Sequence, residues 1–141
     1  MVLRAQLVPL LDKYRQLDTG SSEGGGILLG YRRDPHIDVV RASQPGKRDV
    51  RRRMFFDRCD PSHQQEATKA WRESGKLIDY VGDWHTHAEA HPKPSIFDVN
   101  QWRLLREQTT HDPMLQVIVG TESSWVGIVE SGEPRVLIPA E

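Results

Sequence analysis

Apolar residues near the start of the chain recur at alternating intervals of four and three. This is the spacing of one face of an α-helix, and charged residues occupy positions between them. Pro9 falls inside the stripe, where it would either kink the helix or mark its first turn. The pattern predicts an N-terminal helix that packs on the core through Leu3, Leu7, Leu10, Tyr14 and Leu17.

Strand-like and helical patterns alternate along the remainder of the chain. Helical spacing of apolar residues predicts one helix over residues 62–74, ended by Gly75, and another from about residue 96 to 108. Turn-forming residues at 34–36 and 131–134 would close two hairpins. Runs rich in β-branched or apolar residues predict strands at residues 27–31, 37–42, 54–56, 77–84, 114–120, 125–129 and 135–138.

The chain has the length of one domain and a nearly balanced charge. Its 141 residues are enough to bury a core, which predicts one domain over residues 1–141. Lys and Arg number 19 and Asp and Glu 20, so no global field would draw the protein to nucleic acid or to an anionic membrane. No apolar run approaches the roughly 18 residues that span a bilayer. The N-terminal run is interrupted by Pro9 and lacks a signal-peptide cleavage site. We therefore expect neither nucleic acid nor a membrane as a partner.

The single cysteine, Cys59, excludes an internal disulfide and fits a reducing compartment, which favours a cytoplasmic protein. We expect its thiol to be buried or half-buried, because cysteine packs as a small hydrophobe. A nucleophilic thiol is the alternative, with His63 four residues on as its base.

Five basic residues form the one basic cluster of the sequence, within residues 47–53. Such a run is usually an exposed, solvated loop, and a patch for an acidic partner or tail is the functional alternative. The five are Lys47, Arg48, Arg51, Arg52 and Arg53.

Chemically versatile side chains concentrate between residues 83 and 98. His85 and His87 are two apart at the end of a predicted strand, so both imidazoles would point to the same side. Asp98 would lie one turn into the next helix, which would start near Ser95, and could bring its carboxylate beside them. Two imidazoles and a carboxylate with one position open form the pattern of a catalytic zinc site. The segment therefore predicts zinc-dependent hydrolysis.

A simpler explanation exists for part of this set. Ser95 and Asp98 stand three apart at a predicted helix start, an arrangement that caps a helix without any metal. Capping alone would account for Asp98. The conjunction of two histidines, a serine and a carboxylate within 14 residues favours the metal site.

Three neighbouring side chains are rival ligands: Asp83, Glu89 and His91. Glu89 and His91 lie in the loop after the strand, where no regular element fixes their geometry. Asp83 shares the strand face of His85 and is the stronger rival. We still expect Asp98 to be the third ligand.

Hydrolysis at such a site also needs a group that takes a proton from the attacking water and gives it to the leaving amine. Glu89 is a local candidate, but the chain as a whole offers a better one. Its motifs resemble those of the JAMM (JAB1/MPN/Mov34) metallopeptidases, in which a glutamate precedes a distant His-Ser/Thr-His-Pro and then Ser-x-x-Asp. The matching residues are Glu23, with the glycine-rich strand that follows it, His85-Thr86-His87, and Ser95-Ile96-Phe97-Asp98.

The resemblance implies a fold of the MPN/JAB type, which is α/β (α+β) with a mixed central β-sheet flanked by helices, like that of the cytidine deaminases. It implies that His85, His87 and Asp98 bind Zn²⁺. It also implies that Glu23 is the general acid/base and that Ser95 helps to hold the tetrahedral oxyanion. Ala88 stands where the family usually has proline, a change that would affect loop ordering more than ligation.

The small size, residues 82–87 and the helix bearing Trp71 resemble the bacterial branch of the family. Such peptidases accompany ubiquitin-activating-like and conjugating-like enzymes in antiphage operons of the CBASS kind. The resemblance implies an isopeptidase that cleaves after the C-terminal tail of a ubiquitin-like or conjugated protein, with the activating-type and conjugating-type enzymes as further partners. A non-catalytic module that captures such tails is the alternative. A metal-dependent nuclease is a third, which the near-zero net charge disfavours.

Overall fold

The computed structural model describes residues 2–33, 36–108, 113–130 and 133–136, which form three helices and nine strands. The helices are α1 (Leu7–Asp12), α2 (Ser62–Glu73) and α3 (Ile96–Gln108). The strands are β1 (Val2–Leu3), β2 (Gly25–Arg33), β3 (His36–Ala42), β4 (Val50–Arg52), β5 (Phe55–Asp57), β6 (Asp79–Thr86), β7 (Met114–Val119), β8 (Ser124–Glu130) and β9 (Glu133–Val136). Seven strands form one sheet in the order β1-β3-β2-β6-β7-β8-β9, and β4 pairs with β5 separately. The predicted mixed central sheet flanked by helices is confirmed.

Strand β6 lies at the centre of the sheet and carries the first predicted ligand. It pairs antiparallel with β2 on one side and parallel with β7 on the other. A parallel pair needs a crossover connection, and α3 lies in the connection between β6 and β7. All six residues of β7 are buried, as expected for a strand covered on both faces.

The hydrophobic core is divided between the two faces of the sheet, because successive strand residues point to opposite sides. Leu28 packs with Leu7 and Leu11 of α1 on one face. Its neighbour Ile27 packs against α2 on the other face. Ile118 of β7 lies in the row of β2 and β6 residues on that second face and packs against α3. Helices α2 and α3 therefore flank the face to which His85 belongs.

The predicted N-terminal helix is correct in its centre and wrong at both ends. Leu3 belongs to β1, which pairs with β3, and Leu17 is 70% exposed. Only residues 7–12 are helical, with Pro9 in the first turn, where its missing N–H leaves no intrahelical hydrogen bond unmade. The helical spacing of these apolar residues therefore runs through a strand, a short helix and the non-helical residues that follow it.

Helix α2 confirms the second predicted helix, including its stop. Gly75 has a φ of 66°, the left-handed conformation that glycine adopts at little cost after a helix. The following N–H, that of Lys76, returns to the carbonyl oxygen of Trp71 at 2.7 Å. The glycine therefore turns the chain from α2 towards β6.

The basic cluster is not a solvated loop over its whole length, because β4 occupies its second half and pairs with β5. Arg51 donates from Nε to the carbonyl oxygen of Glu23 at 2.9 Å. Arg53 donates to the carbonyl oxygens of Asp18 and Thr19 at 3.1 and 2.8 Å. Met54, predicted as part of an apolar strand, is 86% exposed in the turn between β4 and β5. Arg51 and Arg53 are therefore fixed by contacts with the segment before β2. These contacts are non-local, so the local charge pattern does not predict them.

The expected burial of Cys59 is wrong, since its side chain is exposed. His63, the suggested base, is itself buried and has both ring nitrogens engaged elsewhere. Its Nδ1 lies 2.5 Å from Ser43 Oγ and its Nε2 lies 2.7 Å from Asp49 Oδ2. The structure therefore does not pair Cys59 with His63.

Parts of the two predicted hairpin turns, residues 34–35 and 131–132, lie outside the described residues, as do residues 137–138 of the last predicted strand. Glu133 and Pro134, expected in a turn, belong to β9. No helix in the described part of the chain is long and apolar enough to cross a membrane.

Candidate metal centre

The two histidines lie at the end of β6 with their imidazoles on the same side, as their spacing predicts. Their Nε2 atoms are 3.1 Å apart. Thr86, between them, points to the opposite face and is fully buried. Two ring nitrogens directed at one point are typical of a shared ligand position.

Asp98 completes this arrangement and also caps its helix. Its Oδ1 lies 3.1 Å from His85 Nε2 and its Oδ2 lies 3.2 Å from His87 Nε2. Ser95 N–H donates to Asp98 Oδ2 at 2.9 Å, and Asp98 N–H donates to Ser95 Oγ at 3.0 Å. This is a reciprocal capping arrangement. Capping and proximity to the histidines thus occur together, because the cap holds the carboxylate in place.

The spacing of these three side chains can be tested against a zinc ion. Zinc lies about 2.0–2.1 Å from nitrogen or oxygen ligands, so tetrahedral ligand atoms are roughly 3.3 Å apart. The two Nε2 atoms are 3.1 Å apart, and each faces a different oxygen of Asp98, at 3.1 Å for His85 and 3.2 Å for His87. One ligand atom from each residue lies within 4.8 Å of the other two. His85, His87 and Asp98 could hold a metal ion between them. The donor set and its geometry both fit zinc.

Electrostatics within the triad favour a charged carboxylate. Burial alone would raise the pKa of Asp98, but hydrogen bonds from His85 and His87 outweigh burial and hold that pKa well below its usual range. Burial would lower the pKa of His87, yet Asp98 and Glu89 beside it raise that pKa above its ordinary value. The triad therefore concentrates negative charge where two imidazoles converge.

Glu23 lies two residues before the start of β2 and is buried beside the triad, with 7% of its surface exposed. The register of β2 against β6 places Gly25 opposite His85. Burial raises the pKa of Glu23 to about 7, although the nearby His85 and His87 act in the opposite direction. A carboxyl with a pKa near neutrality can both accept and release a proton.

Two of the three rival ligands have partners away from His85, His87 and Asp98. Asp83 accepts hydrogen bonds from Arg58, from Tyr80 Oη at 2.7 Å and from Gln116 Nε2 at 3.1 Å. It therefore belongs to a separate polar cluster along the same sheet face. His91 contacts Ser123, with Nδ1 2.8 Å from its Oγ.

The third rival, Glu89, contacts the candidate ligand His87. Its Oε1 lies 2.7 Å from Nδ1 of His87. A carboxylate that accepts from one imidazole nitrogen fixes the ring and leaves the other nitrogen free for a metal. The sequence placed Glu89 two residues after His87, but only the structure reveals this orienting contact.

The loop from Ala88 to the helix is held without the family's usual proline. Thr121 N–H donates to the carbonyl oxygen of Glu89 at 2.8 Å, and Ser123 N–H donates to that of Ala90 at 2.9 Å. Hydrogen bonds from the turn after β7 therefore order the backbone of this loop, whereas Ala88 does not restrict it as a proline would.

A groove of about 1020 Å³ opens beside the triad. Phe55 of β5 and Phe97 of α3 both line the groove, and their rings contact each other with centroids 5.9 Å apart. Phe56 lies against Gly25, where a Cβ would come within 2.7 Å of its ring. Glu23 and the exposed Ser95 also line the groove. An extended, narrow chain could reach the triad along this groove.

Comparison with known proteins gives matches along most of the chain. Residues 13–128 match the family model of prokaryotic homologs of the JAB domain. The "CD-NTase/cGAS isopeptidase" of Escherichia coli (strain TW11681) is 38% identical over 127 residues, which cover 90% of this chain and 80% of that protein. The "Probable metalloprotease y4qB" of Sinorhizobium fredii (strain NBRC 101917 / NGR234) is 29% identical over 109 residues, covering 74% and 66%.

A solved structure agrees in fold. The solution structure of protein DSY2949 from Desulfitobacterium hafniense has a TM-score of 0.64 at 19% identity and covers 96% of this chain and 88% of its own. The two sequence relatives are a peptidase and a metalloprotease by name, so the expectation of a hydrolase is confirmed. The family match spans most of the chain, and the protein belongs to the prokaryotic branch of the JAB domain family.

Proposed function

We propose that this protein is a zinc-dependent isopeptidase that cleaves after the C-terminal tail of a ubiquitin-like or conjugated protein. The observation that carries the proposal is the convergence of His85, His87 and Asp98 at the ligand spacing of zinc. A buried carboxyl, Glu23, and an open groove adjoin them. Each of these parts has a role in isopeptide hydrolysis.

His85, His87 and Asp98 would hold the zinc ion, with Glu89 orienting His87 through its Nδ1. A zinc ion bound there supplies a Lewis acid for the scissile carbonyl and lowers the pKa of water. The capping bonds to Ser95 keep the Asp98 carboxylate in position before any metal binds. The site is therefore organised in advance by its own backbone.

Glu23 is the proton carrier in this proposal. Its carboxylate takes a proton from the water that attacks the carbonyl carbon. When the C–N bond breaks, the protonated carboxyl gives that proton to the departing lysine amine. The Ser95 hydroxyl, which lines the groove, donates a hydrogen bond to the oxyanion that develops on the substrate.

The groove suits an extended tail with small side chains near the scissile bond. β5 has one edge that is unpaired within the described residues, and Phe55 and Phe56 of this strand line the groove. A tail that lies along this edge would gain backbone hydrogen bonds by strand addition. Phe56 also covers Gly25, which lies opposite His85 in the pairing of β2 with β6.

The name of the Escherichia coli relative, which refers to CD-NTase/cGAS, supports a proposal for the substrate class. We propose that the conjugated protein is of this class and belongs to an antiphage system, with activating-type and conjugating-type enzymes as further partners. The protein would act in the cytoplasm, where its single exposed thiol stays reduced.

The proposal is tested with purified protein and a ubiquitin-like protein fused or lysine-conjugated through its C-terminal tail. We expect cleavage after the tail, its loss on chelation and its recovery with one equivalent of zinc. Glu23→Gln should retain zinc and fold but lose cleavage by at least about 100-fold, the scale of a general acid–base contribution.

One matched control and two contradicting outcomes accompany this measurement. Glu107→Gln, an exposed glutamate on α3, should cleave at the wild-type rate. Purified protein without stoichiometric zinc would favour a tail-capturing module over an enzyme, and cleavage retained by Glu23→Gln would remove Glu23 from the mechanism.

A further inference from the structure

A buried glutamine, Gln16, lies beneath the segment that carries Glu23. It follows α1 and is only 2% exposed. Its Nε2 donates to the carbonyl oxygens of Ser21 at 3.2 Å and Arg53 at 2.8 Å. Its Oε1 accepts from Thr86 Oγ at 2.9 Å. The amide therefore uses both N–H groups and its oxygen to join three separate parts of the chain.

Thr86 extends this network between the two histidines. Its hydroxyl oxygen accepts from the Gly24 N–H at 3.0 Å, so its own proton is given to Gln16. Thr86 N–H donates in turn to the Gly24 carbonyl oxygen at 2.9 Å. Gly24 is thereby bonded in both directions to the residue that separates His85 from His87.

The β4–β5 hairpin holds Glu23 from the other side. Glu23 N–H donates to the Arg52 carbonyl oxygen at 2.7 Å, and Arg51 Nε donates to the Glu23 carbonyl oxygen at 2.9 Å. Gln16 reaches the same hairpin through the Arg53 carbonyl. The backbone of Glu23 is thus fixed between β6 and the hairpin, and Gln16 bonds to both.

We infer that Gln16 is a positioning residue, which holds residues 21–24 so that the Glu23 carboxyl stays at one place beside His85 and His87. The inference rests on the proton-carrying role proposed for Glu23. Gln16 is not among the residues that line the groove, so it acts through the segment and not on substrate. A proton carrier must lie within about 2.6–3.2 Å of its partner, and a displacement of about 1 Å can reduce a rate about 100-fold.

The test uses Gln16→Leu, which keeps the side-chain volume and removes all three hydrogen bonds. Its kcat should fall about 10- to 100-fold, with KM within about 2-fold of wild type and with zinc stoichiometry unchanged. Thr86→Val, which removes only the linking hydroxyl, should change kcat in the same direction. If Gln16→Leu does not fold, the kcat of Thr86→Val is the measurement that tests the inference.

Leu11→Ala is the matched control for lost stability, because Leu11 is buried on the neighbouring helix and contributes packing alone. It should unfold at a lower temperature than wild type yet keep the wild-type kcat when assayed well below that temperature. An equal loss of kcat in Leu11→Ala would overturn the positioning role, since general destabilisation would then explain both variants.

A second measurement needs neither metal nor activity. In chelator-treated protein, amide hydrogen exchange at Glu23 and Gly24 should be at least about 10-fold faster in Gln16→Leu than in wild type, whereas β7 amides should be unchanged. Unchanged exchange together with wild-type kcat would overturn the inference. If wild type cleaves nothing, the proposed function fails, while exchange still reports whether Gln16 holds the segment.

Discussion

Glu23 is a carboxyl that the fold buries although it could be charged. Its pKa of about 7 arises because burial penalises the carboxylate, which the nearby imidazoles only partly offset. A cation held by the adjacent ligands would favour the ionised form, so the pKa of Glu23 should be lower in the zinc-bound protein. The same burial that suits proton transfer should therefore weaken the metal-free fold at high pH.

The burial of a carboxyl that can ionise predicts how Glu23→Gln changes the stability of the metal-free protein. The pKa of Glu23 rises from 4.5 to about 7 on folding, so the carboxyl binds its proton more tightly in the folded state. Wild type should lose stability relative to Glu23→Gln as pH rises from about 4.5 to 7, and the difference should level off above 7. Thermal unfolding in chelator at pH 5 and pH 8 measures this difference. Glu107→Gln, on an exposed surface, should show no such trend; a pH-independent effect of Glu23→Gln would contradict the burial argument.

At the residue scale, the sequence predicted which candidate ligands lie together better than it predicted the residues that support them. The two-residue spacing of His85 and His87 predicts their shared side, and the helix start predicts the place of Asp98. Glu23 came only from the family resemblance, because its position depends on the pairing of β2 with β6. Gln16 carries no local signal at all, since its partners lie 5, 37 and 70 positions away in sequence.

At the scale of elements, α2 and α3 were predictable because each keeps its apolar spacing and its terminal signals within one element. The N-terminal stripe was misleading because its first and last leucines share the spacing without belonging to the helix. Strand β4 was missed because two of its three residues are arginines and all three are exposed, and its pairing with β5 is what makes it a strand. Local patterns therefore succeed where an element is stabilised locally or by one buried face.

The end of α2 offers a test of one such local signal. Gly75→Ala places a Cβ at a φ of 66° with no atom within 4 Å, so only backbone strain changes. We expect a loss of about 1 kcal/mol in the free energy of unfolding, measured by urea denaturation. Gly20→Ala is the matched control, because its Cβ would also meet nothing within 4 Å and its φ is not in the left-handed region. It should be neutral or slightly stabilising; an equal loss in both variants would exclude strain at Gly75 as the cause.

At the scale of the whole molecule, the candidate metal centre joins the central sheet to α3. His85 belongs to β6, and Asp98 belongs to the first turn of the helix that crosses from β6 to β7. An ion bound by both would stabilise the folded state by linkage, because the unfolded chain does not hold these groups together. One domain over residues 1–141 stays a prediction.

Zinc removal should therefore lower the melting temperature. With zinc at about 100 times its dissociation constant, linkage contributes about 2.7 kcal/mol, which corresponds to a shift of roughly 5–10 °C in a chain of this size. Differential scanning calorimetry with and without chelator measures the shift. Asp98→Asn keeps an oxygen that can accept the Ser95 N–H but removes the charged ligand, so its melting temperature should respond much less to zinc. An undiminished zinc response in Asp98→Asn would place the ion elsewhere.

The pairing of β2 with β6 has an evolutionary consequence. All three candidate metal ligands fall within 14 residues of one another, whereas Glu23, the proposed proton carrier, and Gln16 come from the first 23 residues of the chain. If the proposed roles hold, substitutions in the early stretch would abolish turnover while the later stretch would still bind an ion and the groove would still accept a tail. A descendant altered there would bind conjugates without cleaving them. Very few substitutions would then convert a deconjugating enzyme into a protein that recognises the modification.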